Sequence, residues 1–272
     1  MSYLTFKANE AKTRIKMTRL LLLNTIVFFS TASIANQAWY QPSVGATWHW
    51  QLQGPLQTQH PVEVYDIDLF DVSEQQIAAL QQQGRKVICY FSAGSVEDWR
   101  DDVSTIPQAA IGQPLDDWQG ERWLDIRDKQ VWRIMQNRLK LAAKKGCDGV
   151  EPDNVDGFQN RSGFALTADD QIRFNRFLAQ SAHILKLSIG LKNSLSIIPA
   201  LVDDFDFSVN EQCFEYQECD QLLPFIQQGK AVFHAEYQNA RGLCSTSNQL
   251  GLSTLVLPLE LDGSWRRECQ SR

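Results

Sequence analysis

The stretch GVEPDNVD, residues 149–156, carries an apolar strand pattern directly into closely spaced acids. Pro152 cannot donate a hydrogen bond to a strand ladder, so pairing should break here and direct the next side chain outward. In a parallel barrel, Asp153 would then lie at the carboxyl end of its strand, where barrel enzymes carry their catalytic residues. The alternative is that Asp153 and Asn154 only cap the following turn.

Similar apolar runs recur along the chain and alternate with amphipathic stretches. They predict strands at residues 48–52, 62–69, 86–92, 123–126, 149–155, 188–192, 207–211, 231–237 and 253–259. The amphipathic stretches predict helices at residues 74–83, 131–145, 169–187 and 222–228. Gly84, Gly146 and Gly229 follow three of these helices, as expected of left-handed caps.

This alternation predicts an α/β fold with parallel strands. The number of strands is one more than a barrel needs, which favours a single-domain TIM-type (β/α)8 barrel over an open sheet. A doubly wound sheet is the alternative. It usually carries a glycine-rich phosphate turn after its first strand, and the chain has no GxGxxG or Walker pattern.

Residues 1–35 have the pattern of a secretory signal peptide, which would leave residues 36–272 as the mature barrel domain. An apolar run at residues 20–29 is followed by small residues up to Ala35, and it is preceded by the basic residues Lys7, Lys12, Arg14, Lys16 and Arg19. Met17 is an alternative start. The apolar run is shorter than the roughly 20 residues of a membrane span, although an uncleaved anchor stays an alternative. We expect a secreted, periplasmic or cell-envelope protein.

Export would place the six cysteines in an oxidising compartment. We expect Cys213 and Cys219 to close one short loop by a disulfide, and Cys244 and Cys269 to tie the C-terminal segment to the body. Cys89 and Cys147 lie in or beside apolar strand-like runs, where the pattern favours small buried thiols.

The formal net charge of −6 disfavours nucleic acid or an anionic membrane surface as a partner and suits a cationic ligand. The sequence has no pattern that indicates a stable protein partner. The histidines are isolated, and no His/Cys cluster has zinc-ligand spacing, so we predict no metal and no cofactor. A metal-dependent deacetylase is disfavoured for the same reason. The four histidines are His49, His60, His183 and His234.

Polar residues recur at the carboxyl ends of the predicted strands, which a barrel would bring together. They are Asp66, Asp68, Ser92, Asp125, Glu151, Asp153, Lys192, Asn193, Asn210, Glu211 and Glu236. Two carboxyl groups in one cleft are what glycoside hydrolysis requires, one to protonate the leaving oxygen and one that stays ionised toward the anomeric carbon. Aromatic faces suit a sugar ring, and the candidates are Trp48, Trp50, Tyr65, Tyr90, Trp99, Tyr216 and Tyr237.

Six motifs together give the chain its resemblance to a known family. They are WQLQG at 50–54, VYDIDLFD at 64–71, VICYFSAGS at 87–95, GVEPDNVDG at 149–157, SIGLKN at 188–193 and NEQCFEY at 210–216. In this order they resemble glycoside hydrolase family 114, the endo-α-1,4-polygalactosaminidases. The resemblance covers nearly the whole predicted mature chain. It implies a TIM-like barrel that cleaves α-1,4-linked galactosamine polymers internally.

The resemblance also implies roles for individual residues. Asp153 and Glu211 match the catalytic aspartate and glutamate of the family. A deacetylated galactosamine polymer is cationic, so we expect strand-end acids to bind its ammonium or hydroxyl groups and Lys192 to position a catalytic carboxylate or contact a hydroxyl. The expected substrate-binding residues are Trp50, Asp66, Asp68, Tyr90, Glu151, Lys192, Glu236 and Tyr237.

We favour a retaining mechanism with Asp153 as nucleophile and Glu211 as acid/base, and swapped roles stay open. Two other functions also stay open. The catalytic pair alone does not distinguish an amino sugar from a neutral α-galactoside, and a noncatalytic carbohydrate-binding barrel could keep the same cleft.

Overall fold

The computed structural model describes residues 39–116, 118–237 and 242–269. The predicted signal peptide, residues 1–35, lies outside the described residues. Within the described part of the chain, no helix has the length and apolar character needed to cross a membrane.

Eight parallel strands run in chain order through one sheet. They are β1 (Trp48–Gln51), β2 (Val64–Asp68), β3 (Lys86–Ser92), β4 (Gly149–Asp153), β5 (Ser188–Lys192), β6 (Phe207–Glu211), β7 (Val232–Glu236) and β8 (Ser253–Val256). All of their residues except Lys86, Asp153 and Glu211 are buried, because side chains and surrounding helices cover both faces of the sheet.

Helices connect the strands from β2 onward. They are α1 (Glu74–Gln82), α2 (Lys129–Lys145), α3 (Ala168–Ile184), α4 (Ile198–Leu201), α5 (Leu223–Gln227) and α6 (Leu243–Leu250). Ser73, Asp128 and Thr167 cap the three long helices by accepting a backbone N–H in the first turn, which fixes where each helix begins. This βα alternation confirms the predicted TIM-type fold.

The seam between β8 and β1 is closed by the chain after β8. The short strand Arg267–Glu268 pairs antiparallel with Leu255 and Val256 of β8. Next to it, the Arg266 guanidinium donates to the carbonyl of Trp48 in β1 at 2.8 Å. Residues 266–269 therefore bridge the first and last strands of the barrel.

The apolar core has two layers, as a barrel requires. Inside the strands, Trp48, Trp50, Phe207, Phe233 and Leu255 belong to one buried cluster. A larger cluster lies between the strands and the surrounding helices. Side chains of the described residues therefore fill the barrel interior below its carboxyl rim, and the cleft opens at that rim.

The predicted strand at 123–126 was wrongly counted among the barrel strands. The observed strand, Glu121–Leu124, pairs antiparallel with Ser95–Glu97 and Ile111–Pro114 in a separate small sheet inserted between β3 and α2. Gly94 lies at the start of this insertion, and a Cβ there would fall 1.7 Å from the carbonyl oxygen of Asn154. Local periodicity identifies a strand, but it does not show which sheet the strand joins.

Three disulfides are present. Cys213–Cys219 and Cys244–Cys269 are the pairs expected from the sequence. The interpretation of Cys89 and Cys147 as buried thiols was wrong, because they form a third disulfide. Cys89 lies opposite Val150 in the β3–β4 register, and Cys147 lies two residues before β4, so parallel pairing brings together two sulfurs 58 residues apart in sequence.

Candidate active site

Three strands end in a predicted site residue, and the next residue in each case has a left-handed backbone. Asn154 follows Asp153 with φ 58°, Asn193 follows Lys192 with φ 43°, and Gln212 follows Glu211 with φ 60°. Such conformations are uncommon for residues with a Cβ and concentrate at functional sites. Here they turn the chain sharply away at the rim, leaving the preceding side chain facing the barrel axis.

The Lys192 ammonium lies at the centre of the site. Its Nζ is 2.9 Å from Glu151 Oε1, 3.2 Å from Asp153 Oδ2 and 3.3 Å from Glu211 Oε2. Burial opposes the charge of Lys192, but the three surrounding carboxylates hold its pKa well above the usual value. The single positive charge of Lys192 therefore contacts three carboxylates, two from β4 and one from β6.

The two rim carboxylates also accept hydrogen bonds from neighbouring side chains. The Tyr90 hydroxyl donates to Asp153 Oδ2 at 3.0 Å, and the Tyr237 hydroxyl donates to Glu211 Oε1. Asn193 Nδ2 donates to Glu211 Oε2 at 3.2 Å. These donors fix both carboxylates in orientations that face the same space.

Below the rim, Glu151 is held by two donors, Lys192 Nζ at 2.9 Å and the Trp50 indole N–H at 3.1 Å. Burial raises the pKa of Glu151 to about 7, and Lys192 opposes that rise. The Lys192 ammonium also lies 4.8 Å from the centre of the Trp50 ring, a cation–π distance. Trp50 therefore supports both members of this buried ion pair.

The rim opens into a cleft of about 1200 Å³. Acidic residues outnumber basic ones in its lining, with Asp68, Asp71, Glu97, Asp116, Glu121, Asp153, Asp156, Glu211 and Glu260 against Arg100, Arg161 and Lys192. Two of the aromatic lining residues, Trp99 and Tyr216, are more than half exposed. The cleft thus combines negative charge with open aromatic faces.

The structure brings most of the expected site residues into this cleft. Trp50, Asp68, Tyr90, Asp153, Lys192, Glu211 and Tyr237 all line it. Asp68 is not free for a ligand, because both of its oxygens bind the guanidinium of Arg100, at 3.2 and 2.6 Å.

Three of the expected substrate-binding acids do not line the cleft. Asp66 and Glu151 have no exposed surface, because they lie one layer deeper in the barrel than Asp68 and Asp153. Glu236 accepts the backbone N–H of Phe214 at 2.9 Å and lies beside His234, which ties it to the loop after β6. Asp125, which also ends a predicted strand, instead pairs with Arg127.

Two acids that sequence reasoning missed face the cleft from loops and from the inserted sheet. Glu121 is mostly buried and accepts the Ser95 hydroxyl at 2.6 Å, and burial raises its pKa to about 7. Burial and the nearby Asp153 raise the pKa of Asp156 to about 6. The described residues give Glu121 no Lys or Arg partner within ion-pair distance.

Among the described residues, no group of three or more His, Cys, Asp or Glu side chains has the arrangement of a metal site. The chemistry that the residues themselves can perform is that of two carboxylates that share one cleft. One ammonium and two tyrosine hydroxyls fix their positions.

Comparison with known proteins places this site in a family. The sequence model of glycoside-hydrolase family GH114 matches residues 30–272. The crystal structure of Aspergillus fumigatus Ega3 in complex with galactosamine is 44% identical, covers 85% of this chain and 98% of its own, and has a TM-score of 0.82. No curated protein matches the chain.

The glycoside hydrolase domain of Pseudomonas aeruginosa PelA shares the fold, with 15% identity, a TM-score of 0.64 and coverage of 82% of this chain and 98% of its own. The expected resemblance is confirmed by the match over nearly the whole chain, and the chain therefore belongs to glycoside-hydrolase family GH114.

Proposed function

We propose that this glycoside hydrolase cleaves α-1,4-linked, galactosamine-rich polysaccharide at internal linkages, with Asp153 and Glu211 as the catalytic pair. The observation that carries the proposal is the position of these two carboxylates. They face one cleft from β4 and β6, and both contact the Lys192 ammonium, at 3.2 and 3.3 Å. Relatedness to the galactosamine-bound Ega3 supports the substrate class.

We propose a retaining mechanism. Because Asp153 and Glu211 contact the same ammonium nitrogen, their nearest oxygens lie at most about 6.5 Å apart, nearer the roughly 5 Å of retaining enzymes than the upper range of inverting ones. In this mechanism, Asp153 attacks the anomeric carbon while Glu211 protonates the departing glycosidic oxygen, so the glycosidic bond breaks as the glycosyl-enzyme forms. Glu211 then removes a proton from the water that hydrolyses the glycosyl-enzyme and releases Asp153.

The surroundings support different roles for the two acids. Asp153 accepts hydrogen bonds from the Tyr90 hydroxyl and the Asn154 backbone N–H, in addition to its contact with Lys192, and these donors orient its carboxylate as a nucleophile requires. Glu211 faces the hydroxyl of Tyr237, which can either donate or accept. Glu211 can therefore gain and lose a proton without losing this partner, as an acid/base requires.

The acidic lining of the cleft supports a cationic sugar. We propose that Glu121 and Asp156 meet the ammonium groups of the polymer, because both line the cleft and neither has a basic ion-pair partner among the described residues. Asp66, Glu151 and Glu236 are not assigned to this role, since they do not line the cleft. Trp99 and Tyr216 provide exposed aromatic faces for sugar rings.

We propose that residues 1–35 direct the protein out of the cytoplasm, to the cell envelope or beyond. The three disulfides support this proposal, since such bonds persist in oxidising compartments. A galactosamine polymer outside the cell would then be within reach of the enzyme.

Product analysis tests the function. Purified protein is incubated with a defined, deacetylated α-1,4-galactosamine polymer, and mass spectrometry follows the oligomers released. We expect a ladder of short oligomers from the wild type and a loss of at least 10³-fold in rate with Asp153→Asn or Glu211→Gln. Glu74→Gln, on the exposed start of α1, is the matched control and should keep wild-type activity.

Two outcomes would contradict the proposal. Hydrolysis of a neutral α-galactoside in preference to the amino polymer would indicate a different substrate class. Binding of the polymer without release of reducing ends would indicate a noncatalytic carbohydrate-binding barrel.

A further inference from the structure

Asp66 lies in the interior of the barrel on β2, with no exposed surface. Neither of its carboxyl oxygens has a hydrogen-bond donor among the described residues. An ionised carboxylate is very unfavourable in such a place, because nothing replaces the water that it loses on folding. The group therefore needs either a donor or a proton of its own.

The polar group that faces Asp66 is another acid. The carboxyl group of Glu151 lies within hydrogen-bonding distance of it. Both oxygens of Glu151 already accept hydrogen bonds, Oε1 from Lys192 and Oε2 from Trp50. These two donors favour the ionised form of Glu151 over that of Asp66, so a proton shared between the two acids belongs on Asp66.

We propose that Asp66 is a positioning residue that stays protonated in the folded enzyme and donates a hydrogen bond to Glu151. A neutral Asp66 leaves one ammonium, Lys192, facing the three carboxylates of Glu151, Asp153 and Glu211. An ionised Asp66 would add a fourth negative charge and draw Lys192 away from the rim. Asp66 thereby keeps Lys192 in place between the catalytic carboxylates.

The effect on catalysis rests on the proposed function, whereas the protonation of Asp66 does not. Burial, followed by the negative charges of Glu151 and Asp153, raises the pKa of Asp66 well above its usual value, and Lys192 opposes this rise. Among the described residues, Glu151, Asp153 and Lys192 are the charged groups that act on the pKa of Asp66. Because the folded pKa exceeds the unfolded one, Asp66 favours folding most at low pH. This contribution is lost as the pH rises from the unfolded value toward the folded one.

Thermal unfolding of Asp66→Asn tests the protonation without any substrate. Asparagine has the same shape and keeps a donor toward Glu151, but it does not ionise in the unfolded chain. We expect its Tm to exceed that of the wild type at pH 7 by at least about 2 °C, and the difference to shrink as the pH falls toward 4. Asp68→Asn is the matched control and should lower the Tm, because it removes the buried ion pair that Asp68 forms with Arg100 at 2.6 Å.

Activity on the galactosamine polymer tests the positioning role. We expect Asp66→Asn to stay within about threefold of the wild-type kcat near neutral pH, with activity extending to higher pH than in the wild type. Asp66→Leu, which has no donor, should lose more than tenfold in kcat with little change in KM. An inactive wild type would reject the proposed function and leave the stability test intact.

The inference is overturned if Asp66→Asn is destabilised at pH 7 as strongly as Asp68→Asn, or does not fold. Equal loss of activity in Asp66→Asn and Asp66→Leu would likewise overturn it, because either result would show that a neutral donor at this position does not replace Asp66.

Discussion

Lys192 and Glu151 form an ion pair of 2.9 Å in which neither side chain is more than 2% exposed. The pair joins β5 to β4 at the boundary between the packed barrel core and the cleft above it. The charge of Lys192 is therefore both a structural requirement of the core and the support of the two rim carboxylates.

Replacement of Lys192 by methionine should destabilise the fold and inactivate the enzyme together. The substitution keeps the length of the side chain but leaves Glu151 buried without its counter-charge, which costs about 3–5 kcal/mol in comparable cases. Denaturant unfolding measures the loss. Lys140→Met, on the exposed face of α2, is the control and should change stability by less than about 0.5 kcal/mol. A Lys192→Met variant as stable as this control would show that the ion pair is not required.

The stereochemistry of the first product should show retention. NMR spectra recorded in the first minutes of hydrolysis should show the α-anomer at the new reducing end, because the Lys192 contacts keep Asp153 and Glu211 close together. An initial β-anomer would indicate inversion.

The roles of the two carboxylates can be separated with an aryl galactosaminide that has a good leaving group. Such a substrate needs no acid, so Glu211→Ala should still form the glycosyl-enzyme, and added azide should accelerate turnover. Asp153→Ala should remain inactive on it. The opposite pattern would assign the nucleophile to Glu211.

Glu121→Gln should weaken the preference for deacetylated polymer. We expect kcat/KM to fall about tenfold on the cationic polymer and much less on its acetylated form, because only the first offers an ammonium group. In the wild type, KM for the cationic polymer should fall as the pH rises toward 7, where Glu121 becomes ionised. The pH dependence should be weaker in the variant. Glu260→Gln removes one negative charge from the exposed rim of the same cleft, and it is the control for a general loss of negative charge.

Two disulfides should contribute in different ways. Cys89–Cys147 closes a loop of 58 residues, and its removal by paired alanine substitution should cost about 4 kcal/mol with little effect on activity at 25 °C. Cys213–Cys219 closes only 6 residues directly after Glu211, so its removal should cost about 2 kcal/mol and lower kcat. Unfolding midpoints and rates of the two double variants check this difference. Equal losses of stability would contradict the loop-length argument.

Much of the barrel could be predicted from sequence because parallel strands buried on both faces give continuous apolar runs. Lys86–Ser92, Ser188–Lys192 and Phe207–Glu211 have the predicted bounds. Helix α6 was missed, since its sequence LCSTSNQL has few strong helix formers and one residue buried. The Cys89–Cys147 bond was missed because it depends on strand register, which local patterns do not contain.

The sequence predicts on which side of a strand each site acid lies, but it does not predict how deep in the barrel that acid lies. Asp66 and Asp68 point to the same side of β2 because they are two residues apart, as do Glu151 and Asp153 on β4. Only the later member of each pair lines the cleft. How deep the core fills the barrel depends on side chains from other strands, such as Trp50. Glu121 and Asp156 lie outside the eight barrel strands, so the rule that barrel enzymes carry their site residues at strand ends did not point to them.

The bridge that residues 266–269 make between β8 and β1 also constrains the order of events during synthesis. Arg266 contacts Trp48, and Cys269 is bonded to Cys244, so the barrel cannot be completed until these late residues have left the ribosome. If residues 1–35 direct export as proposed, the chain would cross the membrane before its barrel closes, and barrel closure would accompany disulfide formation on the far side. A translocation machinery that accepts only unfolded chains would suit such a protein.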